Sequence, residues 1–215
     1  MRNLFRAVAT LAVLAALAAA APAPAPGQEA PVTERLQRRI RLHLEDPGRE
    51  TPGEAEEPLR ANGGRLHADL ALRRFYEERV YLPVWIDAGG EVRQRARSLL
   101  RGLREAGEHG LRPEDYHPVQ IDSLLGELRA AASRRATPGG RDVTERLLTE
   151  IDLLLTDAFM TYGSHLVSGR VDPRSIDPLW TANGRGVDMA AVLRRTLEQW
   201  RSTEAAFADF PSELR

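Results

Sequence analysis

The stretch Glu150-Ile151-Asp152-Leu153-Leu154-Leu155-Thr156-Asp157-Ala158, continuing through Tyr162 and Leu166 to Gly169-Arg170-Val171-Asp172-Pro173, decides the fold of this chain. Ile151, Leu154, Leu155, Ala158, Tyr162 and Leu166 recur at the three- and four-residue spacing of one helical face, which predicts a core-facing helix. Upstream, Asp142 can cap its start while Glu145 reaches back to the cap's amide, in the manner of a capping box. Downstream, Gly169 suits a left-handed exit and Pro173 blocks continuation.

Working outward, apolar periodicity predicts further helices. Val32, Leu36, Ile40 and Leu44 are spaced four apart and mark a short helix that Asp46-Pro47-Gly48 ends. From Asp46 to Gly64 the sequence is acidic and rich in Pro and Gly, which reads as a loop or disordered linker. Leu66 to Arg79 reads as a helix, Val80 to Ile86 as extended chain, and Val92 to Leu103 as another helix. Gly110 to Tyr116 is a turn, Pro118 to Ala132 a helical run, and Thr137-Pro138-Gly139-Gly140 a break before the main helix. After Asn183-Gly184-Arg185-Gly186 a last helix runs from Val187 to Trp200. No alternating run is long enough for a sheet, so the fold class is all-α, an irregular domain of about five to seven helices. The expected organisation is a signal peptide at 1–20, a short helix and linker at 21–64, a helical domain at 65–205, and a frayed or truncated end at 206–215.

Three of these segments carry a resemblance. The first is Glu150, Leu155-Thr156-Asp157-Ala158, Tyr162 and Gly169 to Pro173; the second is Phe75-Tyr76 with Arg79, Tyr81, Pro83 and Trp85; the third is Gly110-Leu111, Pro113, Asp115 and Tyr116. Together they resemble the scaffold domain that precedes the catalytic domain in large periplasmic L,D-transpeptidases, over roughly Leu66 to Trp180. The resemblance implies a noncatalytic region whose motif residues, Tyr76, Trp85, Asp157, Tyr162, Gly169, Arg170, Asp172 and Pro173, are structural. It implies no cofactor, and peptidoglycan as the partner of the whole enzyme, which makes 3-3 cross-links between stem peptides using the His and Cys of a Ser-His-Gly-Cys type motif. None of that motif is in this chain, so no catalytic residue carries over, and the peptidoglycan-binding and catalytic domains are expected beyond Arg215.

Composition narrows the alternatives. Arg2 and Arg6 precede an apolar run from Ala7 to Ala21 that is short for a bilayer, with Ala18-Ala19-Ala20 as a cleavage pattern, so export to the periplasm is expected and membrane contact only through the signal peptide. With 30 basic and 31 acidic residues the net charge is -1, which disfavours nucleic acid as a partner. The cluster Arg93, Arg95, Arg97, Arg101 and Arg104 reads as a solvated face paired with Glu91 and Glu105. The chain has no cysteine, hence neither disulfides nor a thiolate nucleophile. It has no lysine, hence no phosphate-binding glycine loop with its Lys.

The five histidines, at 43, 67, 109, 117 and 165, lack metal-ligand spacing and read as structural or exposed. Gly163-Ser164-His165 falls in a helix and lacks the second glycine of a nucleophile elbow. Paired carboxylates occur at Glu114 with Asp115 and at Asp152 with Asp157, which keeps a glycan hydrolase as a weaker alternative. Asp157 is expected to be buried or semi-buried and bonded to an Arg, with Arg170 the candidate, or to a backbone amide, because an unpaired buried carboxylate is costly. A stand-alone envelope binding or scaffolding protein is the other alternative.

Overall fold

A computed structural model of the chain describes residues 30–45, 59–132, 137–169 and 187–208, the last eight by backbone alone. The expected signal peptide, most of the linker, Arg170, Asp172, Pro173, Trp180 and the C-terminal residues 209–215 lie outside the described residues. In chain order the elements are α1 (Val32–Leu44), a hairpin of β1 (Arg60–Ala61) and β2 (Gly64–Arg65), α2 (Asp69–Glu78), α3 (Gln94–Arg104), two single 3-10 turns (Ala106–His109 and Pro113–Tyr116), α4 (Pro118–Ala131), α5 (Pro138–Ser168) and α6 (Met189–Ala208). Among the described residues six α-helices dominate, and the fold is all-α.

Helix α5 organises the rest. Its 31 residues span about 45 Å at 1.5 Å per residue. The sequence pattern predicts one buried face, yet residues 151–158 are all buried, including Asp152, Thr156 and Asp157. A helix buried all round is an interior helix, and α1, α2, α3, α4 and α6 all pack against this one. Leu166, assigned to the core face by spacing, is 47% exposed because α5 has left the core by its last turn.

The start of α5 differs from the capping-box expectation. Thr137 is the N-cap, its side chain accepting the Gly140 amide at 3.0 Å, and Pro138 takes the first helical position, where its missing N–H costs nothing. The Thr-Pro-Gly-Gly run therefore begins the helix instead of breaking it. Asp142 and Glu145 lie one turn inside and turn toward α1: Arg35 Nε donates to Glu145 at 2.5 Å, and Arg39 pairs with Asp142. At the other end Gly169 has φ 79° and ψ 165°, a conformation open essentially to glycine alone, and its amide returns to the His165 carbonyl at 2.9 Å.

The compact unit begins at Pro31, not near residue 65. Leu36, Ile40 and Leu44 of α1 are each 2% exposed or less and join the same core as Leu154 and Ala158 of α5. Leu59, in the stretch read as linker, is fully buried, and Leu66 donates its amide to the Leu59 carbonyl at 2.7 Å to close the hairpin. Asn62 and Gly63, with φ of 46° and 74°, supply the positive-φ pair that a two-residue hairpin turn demands. Replacing Ile40 by Ala should destabilise the whole domain by about 2–5 kcal/mol in chemical denaturation, the range for an emptied core site; a change below about 1 kcal/mol would show α1 to be a separable appendage.

Candidate functional site

Among the described residues, Tyr76, Trp85, Thr156 and Asp157 of the family-like motif gather in two belts around the buried middle of α5. The first gathers on Asp152, which is 1% exposed. After α2, Val80 and Tyr81 both adopt positive φ, 53° and 59°, and the Tyr81 amide returns to the Tyr76 carbonyl at 2.7 Å, so the chain reverses and runs back along α5. That reversal aims the amides of Val84 and Trp85 at the Asp152 carboxylate, 3.0 and 2.7 Å from Oδ1. Tyr76 donates its hydroxyl to Oδ2 at 2.6 Å. Thr156, one turn along, accepts the indole N–H of Trp85 at 3.0 Å and donates to the Asp152 carbonyl at 2.8 Å.

Burial pushes the Asp152 carboxyl above its ordinary value, while the donors from Tyr76, Trp85 and Val84 pull the other way. The Tyr76 hydroxyl is held well above its usual range, first by burial and then by the neighbouring Asp152 charge.

The second belt gathers on Asp157, fully buried. Its Oδ1 accepts the amides of His67 and Ala68, both at 2.7 Å, where the hairpin hands over to α2. Its Oδ2 meets Nε2 of His117 at 3.1 Å, which places a proton on that nitrogen when the carboxylate is ionised. His117 sits at φ 60°, a left-handed conformation unusual outside glycine, as the residue just before Pro118 starts α4. Its ring stacks on His67 at 5.4 Å and 18°. The backbone of Gly64 closes over it: a Cβ there would sit 3.3 Å from Nδ1. One turn further along α5, Tyr116 Oη bonds His165 Nδ1 at 2.9 Å and packs edge-on against Tyr162 at 5.1 Å.

This arrangement can position loops; it offers little to a substrate. Asp152 and Asp157 are sealed from solvent and face different segments, Val84–Trp85 on one side and His67–Ala68 on the other, so they do not form a facing pair across a groove as glycan hydrolysis requires. Glu114 is exposed and lies 3.8 Å from Arg112. Among the described residues no three His, Asp or Glu side chains gather as a metal site.

A family match covers residues 70–213, under the description scaffold domain. The chain belongs to the scaffold-domain family. No curated protein and no solved structure matches it. Of the motif residues read from sequence, this scaffold domain places Tyr76, Trp85 and Asp157 at the two belts, Tyr162 beside Tyr116, and Gly169 at the exit of α5. The described partners of Asp157 are two amides and an imidazole; Arg170, its candidate partner from sequence, lies outside the described residues. Asp152 and His117 are the positions that sequence undervalued. Their partners are backbone amides and a carboxylate 40 or more residues away, which no local pattern announces.

Asp152→Asn should cost about 3 kcal/mol, since it sets an amide NH2 among donors in a dry site. A group whose folded pKa lies above its unfolded one contributes stability below the unfolded value and loses it as pH rises through the folded value. The wild-type advantage over D152N should therefore widen from about pH 7 toward about pH 4 in urea titrations; a narrowing gap would mean that the four hydrogen bonds, not burial, set this carboxyl.

Proposed function

We propose that this chain is the noncatalytic scaffold region of an exported L,D-transpeptidase system that forms 3-3 cross-links in peptidoglycan. The observation that carries the reading is that, in a scaffold-domain family member, the motif residues Tyr76, Trp85 and Asp157, with Asp152 and Thr156 beside them, are consumed in holding loops to α5. Asp152, Asp157, Tyr76 and Thr156 bond inward with almost no exposure, which suits a structural part and not a reacting centre. The chemistry supports the same division of labour: an acyl-enzyme formed on a thiolate needs a cysteine, and this chain has none. The nucleophile would come from another domain or polypeptide, for which α5 and its belts give a rigid mount. Arg2, Arg6 and the apolar run to Ala21 support delivery to the envelope through a signal peptide.

Loss of the gene should reduce the dimers cross-linked through two diamino acids in a mass-spectrometric muropeptide profile of the source cell, with reintroduction of the wild-type chain restoring them. An unchanged profile would remove the support for this reading. Separately, residues 1–26 fused to a reporter that is active only after export should give activity, and replacing Leu14 by Arg, within the apolar run, should abolish it.

A further inference from the structure

A groove of about 620 Å³ lies between α3 and α4. Its size falls in the range of clefts that take small molecules or short peptides. Arg97, Arg101 and Arg104 enter it at helical spacing from α3, and Arg129 joins them from α4. All four are exposed. The sequence reading pairs this cluster with Glu91 and Glu105, whereas Arg104 takes Asp122 of α4, through Nε at 3.1 Å and the terminal nitrogen at 2.5 Å. Arg97, Arg101 and Arg129 have no hydrogen-bond or ion-pair partner for their guanidinium groups among the described residues. Glu91 is the other acid on the groove wall, so the lining keeps an excess of positive charge, four arginines against two carboxylates.

Like charges four apart on a helix repel, so Arg97 and Arg101 stand at a cost that an anion would relieve. Between the arginines the floor is apolar: Leu100 and Leu128 are buried, and Leu125 is half-buried. Arg104 holds the Asp122 carboxylate in the two-point grip that guanidinium geometry favours.

We propose that this groove binds a short acidic segment of a partner protein, whose carboxylates pair with Arg97, Arg101 and Arg129 while its aliphatic side chains rest on Leu100, Leu125 and Leu128. A phosphate polymer would meet the arginines but leave the leucine floor unused, which is why charge and apolar surface together favour a peptide. The site lies apart from the Asp152 and Asp157 belts and does not depend on the transpeptidase reading.

The test is fluorescence anisotropy of the purified full chain with a fluorescein-labelled peptide of alternating Glu and Leu, against the same peptide with Gln for Glu, and with inorganic polyphosphate as competitor. Saturable one-to-one binding is expected, weakened at least about tenfold by R97E/R101E and by the Gln peptide, and weakened measurably by Leu125→Gln. The two arginines are exposed, so circular dichroism of R97E/R101E should match wild type. Absence of binding, equal binding by R97E/R101E, or insensitivity to Leu125→Gln would overturn the proposal. Displacement of the peptide by polyphosphate at lower charge concentration would overturn it in favour of a phosphate polymer.

Discussion

The grip of the Val84 and Trp85 amides on the Asp152 carboxylate, in the fully buried middle of α5, is the interaction on which the surrounding structure depends. A loop that runs through a core carries donors that water cannot reach, and each must find an acceptor or cost free energy. The carbonyls of α5 are largely spent within the helix, and what it offers to these loop amides is carboxylates. Asp152 serves the loop after α2, and Asp157 serves the hairpin exit before α2. The two ends of α2 are thus moored to one helix by two side chains five positions apart. Phe75, Tyr76 and Leu72, all fully buried, then pack in the space between.

Around that centre the secondary attachments are ionic and peripheral. Arg35 and Arg39 tie α1 to α5, Arg104 ties α3 to α4, and Arg194 of α6 reaches Glu78 at the end of α2 at 2.5 Å. Each is partly solvent-exposed, so each adds little to stability and chiefly fixes the angle at which one helix lies on another. The chain has no lysine, so every one of these links uses the planar guanidinium, which fixes direction better than an ammonium does. Trp200 is held in the same spirit, edge-on to Trp85 at 6.1 Å and under the Arg95 guanidinium at 4.9 Å.

Helices with a conventional apolar stripe were legible in the sequence: Leu36, Ile40 and Leu44 of α1 are buried where spacing put them. The attachment of α1 was not, because the acidic stretch after Asp46 carries no sign that Leu59 is fully buried and brings the chain back into the core. The start of α5 was misread because proline and glycine weigh as breakers unless a preceding Thr is recognised as the cap. The burial of Leu153 and Thr156 on the nominally polar side of α5 follows from elements far away in sequence, and periodicity within one helix cannot report on them. The candidate site was half visible for the same reason: Tyr76, Trp85 and Asp157 stood out as residue types, but their partners are amides at Val84, His67 and Ala68, which look alike in any sequence.

That last fact shapes how the domain can drift in evolution. At His67, Ala68, Val84 and Trp85 the two aspartates grip the peptide backbone and not the side chain, so the mooring itself forbids only proline, while the buried Val84 and Trp85 are held separately by the core they fill and by the indole bond to Thr156. Proline, which lacks the donor, is the substitution the backbone mooring cannot absorb, whereas Asp152 and Asp157 have no chemical synonym at all, since glutamate would overreach and asparagine would present hydrogens to hydrogens. Relatives should therefore vary at the exposed His67 and half-buried Ala68 while holding still at two points on one helix and at the buried Val84 and Trp85, the inverse of a surface that recognises its ligand through loop side chains.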